Sequence, residues 1–452
     1  MAIRSRSPKP DEWAAKTNHT HIIQDTFVQN FLAKCDFPPA AIDLIDSFSE
    51  FTHTLSNDMK NPIKHLLAVD GGYTIVEVKK QFPSSQIAFF QFGAVLFLVK
   101  DLEDLSEKPF IFPEDMNKLH DLQRFKLALP IRNVKSKSQD SLKNSIRKVI
   151  YDFFMEKRDG HSFMETLEWL IFEKYKDEPK DEYVLGSDPN GDGGSIRLVR
   201  NDIKNDFTFE MAGETIYLTD VFRLHEAIDE DQGAAGILGY VTRLIEQLIL
   251  VHFIKSIFQL QPSLLNEFLF IADGPLSFSG QTANMHKPMR ELTNYLQSKR
   301  NLFLVGIEKS GAFVDHAQQI CLPNDDKTLL KKGDFILLSN QYIYKYIVPG
   351  NPETMRYGST AYYGGKVIFH SADSQILVLT VPVPNSRVVI NPKLDQYKNI
   401  NEIILNMQKL RCAMYDDAII PVALANKLVS LANHPSKVLL EKFAKAQINS
   451  KN

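Results

Sequence analysis

Two short stretches of this chain end a buried run with a carboxylate and a glycine. Asp70 closes IKHLLAVD (63–70) and is followed by Gly71 and Gly72; Asp273 closes NEFLFIAD (266–273) and is followed by Gly274. In α/β architectures the carboxyl ends of strands are where sites are built. Glycines there let the backbone turn and let a ligand come close. Two converging carboxylates repel each other, and a hard divalent cation such as Mg²⁺ or Mn²⁺ removes that repulsion through oxygen ligands. The plainer alternative is two independent turns, each Asp bonding its own backbone. On these two stretches alone both readings stand.

A third carboxylate bears on the choice. Glu246 sits in RLIEQLILVHF (243–253), a stretch that is otherwise largely apolar. It is either a surface residue paired with Arg243 at i,i+3, or it is aimed at a site. The helix that carries it leads straight into the Asp273 strand and must pack near it, so Glu246 could complete a metal-binding triad. Carboxylate-held metals activate water and stabilise charge on a transferring phosphoryl group. Lys309 ends a third apolar run, NLFLVGIEKSG (301–311). It would contact a phosphate or orient a nucleophile, or else it is an ordinary loop lysine. Glu308 beside it is a weaker ligand candidate.

These residues need elements to hold them. Residues 26–54 read as short helices broken at FPPAA, and 63–78 as a strand, a turn and a second extended piece. Residues 86–99 read as a further buried strand. The clearest helix runs over 236–259, with Leu244, Leu248, Val251 and Ile254 at helical spacing. Strands follow at 268–272 and 301–307; 334–347 and 365–384 alternate in strand fashion, and 419–433 begins a helix at Pro421. Between Arg124 and Lys148 lie eight Lys and Arg against one acid, Asp140. That run is either a contact surface for DNA or a partner, or a solvated face.

Composition removes several classes. With 44% hydrophobic and 24% charged residues the chain is globular, and its 452 residues leave ample core. A net charge of −3 is not the footprint of bulk polyanion binding. Cys35, Cys321 and Cys412 are scattered, which points to free thiols in a reducing compartment rather than a thiolate zinc site. The N-terminus lacks the apolar segment of a signal peptide, and no apolar stretch reads as a membrane span, so a cytoplasmic protein is expected. No GxSxG, HExxH or GxxxxGK[ST] pattern occurs. DPNGDG (188–193) starts like a calcium loop, but Val199 stands where the twelfth-position Glu belongs. His370 is taken as a packed or surface histidine.

In order and content, LLAVDGG, RLIEQLILVHF with NEFLFIADGPL, and LFLVGIEKSG resemble the core of NurA nucleases. The resemblance implies an RNase H-like α/β fold, a mixed sheet flanked by helices, with a large insertion and a helical N-terminal region. The implied divisions are a helical, partner-docking region at 1–60, nuclease core at 61–100, an inserted subdomain at 101–235, the rest of the core at 236–435 and a tail at 436–452. Asp70, Glu246 and Asp273 match the family's metal-binding acids, and Lys309 its later lysine; all four would serve catalysis, with Mn²⁺ or Mg²⁺ as cofactor. Ile420 stands where the family carries a tyrosine before proline, and no histidine follows Pro421 within two turns. The fourth ligand is therefore open among Asn426, Asp416, Asp417 and His434. The resemblance further implies a homodimer that acts on DNA with a HerA-type hexameric ATPase, in DNA repair or anti-phage defence. An RNase H-like module that caps or regulates such a translocase without strong catalysis is the alternative.

Overall fold

The computed structural model describes residues 22–39, 48, 52–56, 60–79, 81–101, 121–190, 194–211, 213–322, 328–410, 419–429, 431 and 434–449. Its centre is a nine-stranded mixed sheet. In chain order the strands are β1 (Thr52–Thr54), β2 (His65–Glu77), β3 (Gln86–Leu98), β4 (Asp121–Arg132), β5 (Phe268–Asp273), β6 (Phe303–Glu308), β7 (Asp334–Leu337), β8 (Gly364–His370) and β9 (Ile376–Pro382). Across the sheet the order is β1-β7-β8-β9-β6-β5-β2-β3-β4. Strands β2, β3 and β4 form an antiparallel meander; β5 then pairs parallel to β2, and β6 parallel to β5. A meander whose first strand is followed across the sheet by two later parallel strands, one beyond the other, is the RNase H-like order, extended here by the antiparallel β9, β8, β7 and β1.

The central strands are apolar on both sides because helices cover both faces. On one face lies α4 (Leu238–Leu260), buried on nearly every side; its length and apolar composition would suit a bilayer, but most of it is packed inside the protein. This is why its sequence shows more apolar positions than one amphipathic stripe requires. On the other face lie α8 (Ile400–Gln408) and α9 (Ile420–Val429), against Leu66, Ala68, Leu269 and Ile271. Between them in the chain, α5 (His286–Arg300) links β5 to β6, α6 (Ala312–Cys321) follows β6, and α7 (Asn340–Tyr346) follows β7. The N-terminal helix α1 (Thr26–Leu32) buries none of its residues.

Several expectations are corrected. Residues 121–132, expected within the inserted subdomain, form strand β4 of the central sheet, with Phe125, Leu127, Leu129 and Ile131 alternating into the core. Pro130 is tolerated because β4 is an edge strand. The added piece between β4 and α4, 133–235, carries α2 (Leu142–Met155), α3 (Phe163–Ile171) and three hairpins. Its apolar side chains join the cluster that α4 forms with the sheet. Thr52–Thr54 is a strand, not helix, and residues 340–346 are a helix capped by the Ser339 hydroxyl, not a strand. The tail forms α10 (His434–Asn449), whose Ala444 packs on Val76 and Val78. At 188–190 the calcium-like stretch is an Asp turn, Asn190 N–H donating to Asp188; residues 191–193 lie outside the described residues.

The basic run is split by the fold. Arg124 and Lys126 are exposed on β4, Lys148 pairs with Asp152, and Arg147 is buried against Asp220. The Arg147 guanidinium meets Asp220 through two bonds, at 2.9 and 2.7 Å, and also bonds Asn144 and Asn190. Removing one partner of such a pair leaves an uncompensated buried charge. Arg147→Met should lower the unfolding free energy by about 3–5 kcal/mol, read by urea denaturation; a change within error of zero would show the pair to be dispensable.

Candidate active site

The pairing of β2 explains where Asp70 sits. Strand β5 accompanies β2 only from His65 to Val69. Strand β2 itself runs on to Glu77, paired with β3 throughout. Asp70 is thus not at a strand tip. It is the first residue of β2 left without a neighbour on the β5 side, and Gly71 and Gly72 continue the strand instead of turning it. What Gly71 supplies is space: a Cβ there would lie 2.5 Å from Phe92 Cδ1 and 3.1 Å from Glu246 Oε1. The sharp turn belongs to Gly274, at φ +98°, a backbone conformation that side chains rarely adopt.

The structure brings Asp70, Glu246, Asp273 and Lys309 to one place. Asp70 is 5% exposed and Glu246 6% exposed. The Lys309 ammonium donates to Asp273 Oδ2 at 2.8 Å. The Gly71 N–H donates to Asp70 Oδ1 at 2.8 Å. Burial, then the neighbouring Asp273 charge, push the Asp70 carboxyl up to about 7, against the opposing pull of Lys309 and the Gly71 amide. Burial likewise raises the Glu246 carboxyl well above the ordinary range; Arg243 opposes this, while Asp70 and Asp273 add to it. Both readings of Glu246 hold together: it pairs with Arg243 at 3.4 Å and it faces the aspartates.

Glu308 faces away from the aspartates and pairs with the buried Lys366. Asn426 is exposed on α9; Asp416 and Asp417 lie outside the described residues, and of His434 only the backbone is described. His370 is buried and bonds the Leu330 carbonyl. Arg243 and Gln247 are the residues that the sequence did not single out for the site. Their only signal was position, at −3 and +1 from Glu246.

Whether these residues suit a divalent cation can be judged from their chemistry. The donors are hard oxygens, they converge from three elements, and they are short of positive charge, as the raised Asp70 carboxyl shows. As they stand, no three His, Cys, Asp or Glu side chains among the described residues form a finished ligand set. Lys309 is held against Asp273 and Arg243 against Glu246. The donor type fits Mg²⁺ or Mn²⁺; side-chain movement of Lys309 and Glu246 would be needed to close around it.

Fold and site together define an RNase H-like protein with a carboxylate cluster where its two central parallel strands part. No family model matches the chain, and no curated protein matches it. Among solved structures it is similar to the crystal structure of the NurA nuclease from Sulfolobus solfataricus, at 8% identity and a TM-score of 0.35, over 97% of this chain and 99% of that one. A second NurA crystal structure is 11% identical, with a TM-score of 0.32 over 97% of each chain. A third, NurA with manganese, is 10% identical, with a TM-score of 0.29 over 96% of this chain and 98% of that one.

The raised Asp70 carboxyl has a consequence for stability. The folded, metal-free chain keeps a proton that the unfolded chain releases near pH 4. That contribution is whole below about pH 4 and is lost as pH rises through about 7. In EDTA the melting temperature should therefore fall more over this window for the wild type than for Asp70→Asn. Parallel pH profiles for the two would rule out the shift.

Proposed function

We propose that this chain is a metal-dependent nuclease that hydrolyses phosphodiester bonds in DNA. The observation that carries the reading is the convergence of Asp70, Asp273 and Glu246 at the junction of β2 and β5, with Lys309 on the rim. Asp70 and Asp273 would hold Mn²⁺ or Mg²⁺ directly, and Glu246 would hold it or its water. A cation held there supplies positive charge to the phosphodiester and lowers the pKa of the attacking water. Lys309, already at hydrogen-bond distance from Asp273, is a flexible ammonium that can turn to a phosphate oxygen. Gly71 leaves room for Phe92 and Glu246 to approach β2, and Gly274 leaves room for Arg243.

The finer parts of this reading come from the sequence resemblance. They are a homodimer, a HerA-type hexameric ATPase that delivers DNA, and a role in repair or anti-phage defence. A translocase would supply the basic surface that a chain of net charge −3 lacks. One observation favours a second reading, that of a regulatory module on the translocase. Lys309 and Arg243 stand against two of the three acids and balance their charge.

Cleavage separates the two. Wild-type protein should degrade labelled DNA with Mn²⁺ or Mg²⁺ and not with EDTA. Asp70→Ala and Asp273→Ala should each lose about a hundred- to a thousandfold in rate, the scale of losing a principal transition-state contact, with folding intact by circular dichroism. DNA left whole by the wild type with and without the ATPase, while the complex still forms, would establish the regulatory module instead.

A further inference from the structure

Arg243 lies one helical turn before Glu246 on α4, and its guanidinium sits between the Glu246 carboxylate and the main chain of Asp273. Its Nη1 is 3.4 Å from Glu246 Oε2 and also donates to the main-chain carbonyl of Asp273. On its other side the group packs over Gly274. A Cβ at 274 would sit 1.9 Å from Arg243 Nη2, so no side chain fits there while the arginine does. The Gly274 N–H in turn donates to the Ile307 carbonyl at 2.6 Å, which ties the loop to the end of β6.

The next residue after Glu246 continues the same grip. Gln247 donates from Nε2 to the carbonyls of Pro275 and Ser277, at 3.4 and 3.3 Å, and accepts from the Tyr363 hydroxyl. One stretch of α4 therefore bonds three main-chain carbonyls of the loop that leaves Asp273. Glu246 rides between those bonds, so its distance from Asp273 is fixed by residues other than itself. A planar guanidinium can bond a carboxylate and a carbonyl at once in fixed directions; a lysine ammonium at the end of a flexible chain holds no such geometry.

We propose that Arg243 is a positioning residue of the nuclease site: it sets the placement of Glu246 against Asp273, and through it how tightly the acids close on a divalent cation. The proposal rests on the metal-dependent reading above. Residues that orient metal ligands from outside typically cost about 10–100-fold in metal affinity when removed.

The test is Mn²⁺ binding by the full chain, measured by titration calorimetry alongside melting temperature and DNA cleavage. Arg243→Ala should weaken Mn²⁺ binding about 10–100-fold. Gly274→Ala should do the same with the arginine still present, because its methyl takes the guanidinium's place. Arg243→Lys should recover only part of the loss. Free guanidinium ion, at concentrations that leave melting unchanged, should partly restore Arg243→Ala and not improve the wild type. Arg147→Met, far along the chain in the added piece, serves as the stability control: it should lower melting and leave Mn²⁺ affinity alone. Mn²⁺ affinity in Arg243→Ala equal to that of the wild type, or lost only in step with melting as in Arg147→Met, overturns the proposal. Should Arg243→Ala fail to fold, unchanged Mn²⁺ affinity in Arg243→Lys overturns it. A wild type that binds no Mn²⁺ overturns the nuclease reading and this proposal together, whereas wild-type binding with unaffected Arg243 variants overturns this proposal alone.

Discussion

The repulsion among three converging carboxylates, two of them buried, is the constraint around which the rest of the structure is arranged. Asp70 and Glu246 are almost wholly removed from water, and Asp273 is beside both. Carboxylates in such a place must take up protons, find cations or move apart. Here the Asp70 carboxyl is raised to about 7, Lys309 is drawn to Asp273, and Arg243 is drawn to Glu246. A fold gains nothing in stability from collecting like charges, so the cluster is better explained by what it can bind than by what it holds up.

Its surroundings are shaped to allow close approach. Strand β5 leaves β2 just before Asp70, which frees one side of that residue. Gly71 has no side chain, so Phe92 and Glu246 can both come in against the strand. Gly274 makes the turn after β5 and leaves room for Arg243, while Gly306 lets that turn lie on β6, where a Cβ would come within 2.4 Å of the Gly274 carbonyl oxygen. Each glycine removes a side chain from one layer around the same point. The helix that brings Glu246 is held by packing on nearly all sides, which is what allows one charged residue within it to be kept in place.

Much of this could be read from the chain, and the failures have physical causes. Apolar runs ending in Asp-Gly mark β2 and β5 because buried central strands show as continuous hydrophobic text. The helix over 238–260 and the grouping of Asp70, Glu246, Asp273 and Lys309 follow from order along the chain. Register does not. Nothing local says that β2 outruns β5, so Asp70 looked like a tip and Gly71 like a turn. The β4 strand alternates clearly from Phe125 to Ile131, yet its outward Arg124 and Lys126 read as part of a basic run. Its partner β3 lies on the far side of a long connection. Arg243 was visible only as an i,i+3 partner of Glu246. Its bond to the Asp273 carbonyl joins positions thirty residues apart, which no spacing rule reveals.

The most direct measurement is anomalous scattering from crystals of the protein soaked with Mn²⁺. The account predicts a peak between the Asp70 and Asp273 carboxylates, with metal–oxygen distances of about 2.1 Å and Lys309 displaced from Asp273. Crystals that take up Mn²⁺ only elsewhere, with the Lys309–Asp273 bond intact, would contradict it.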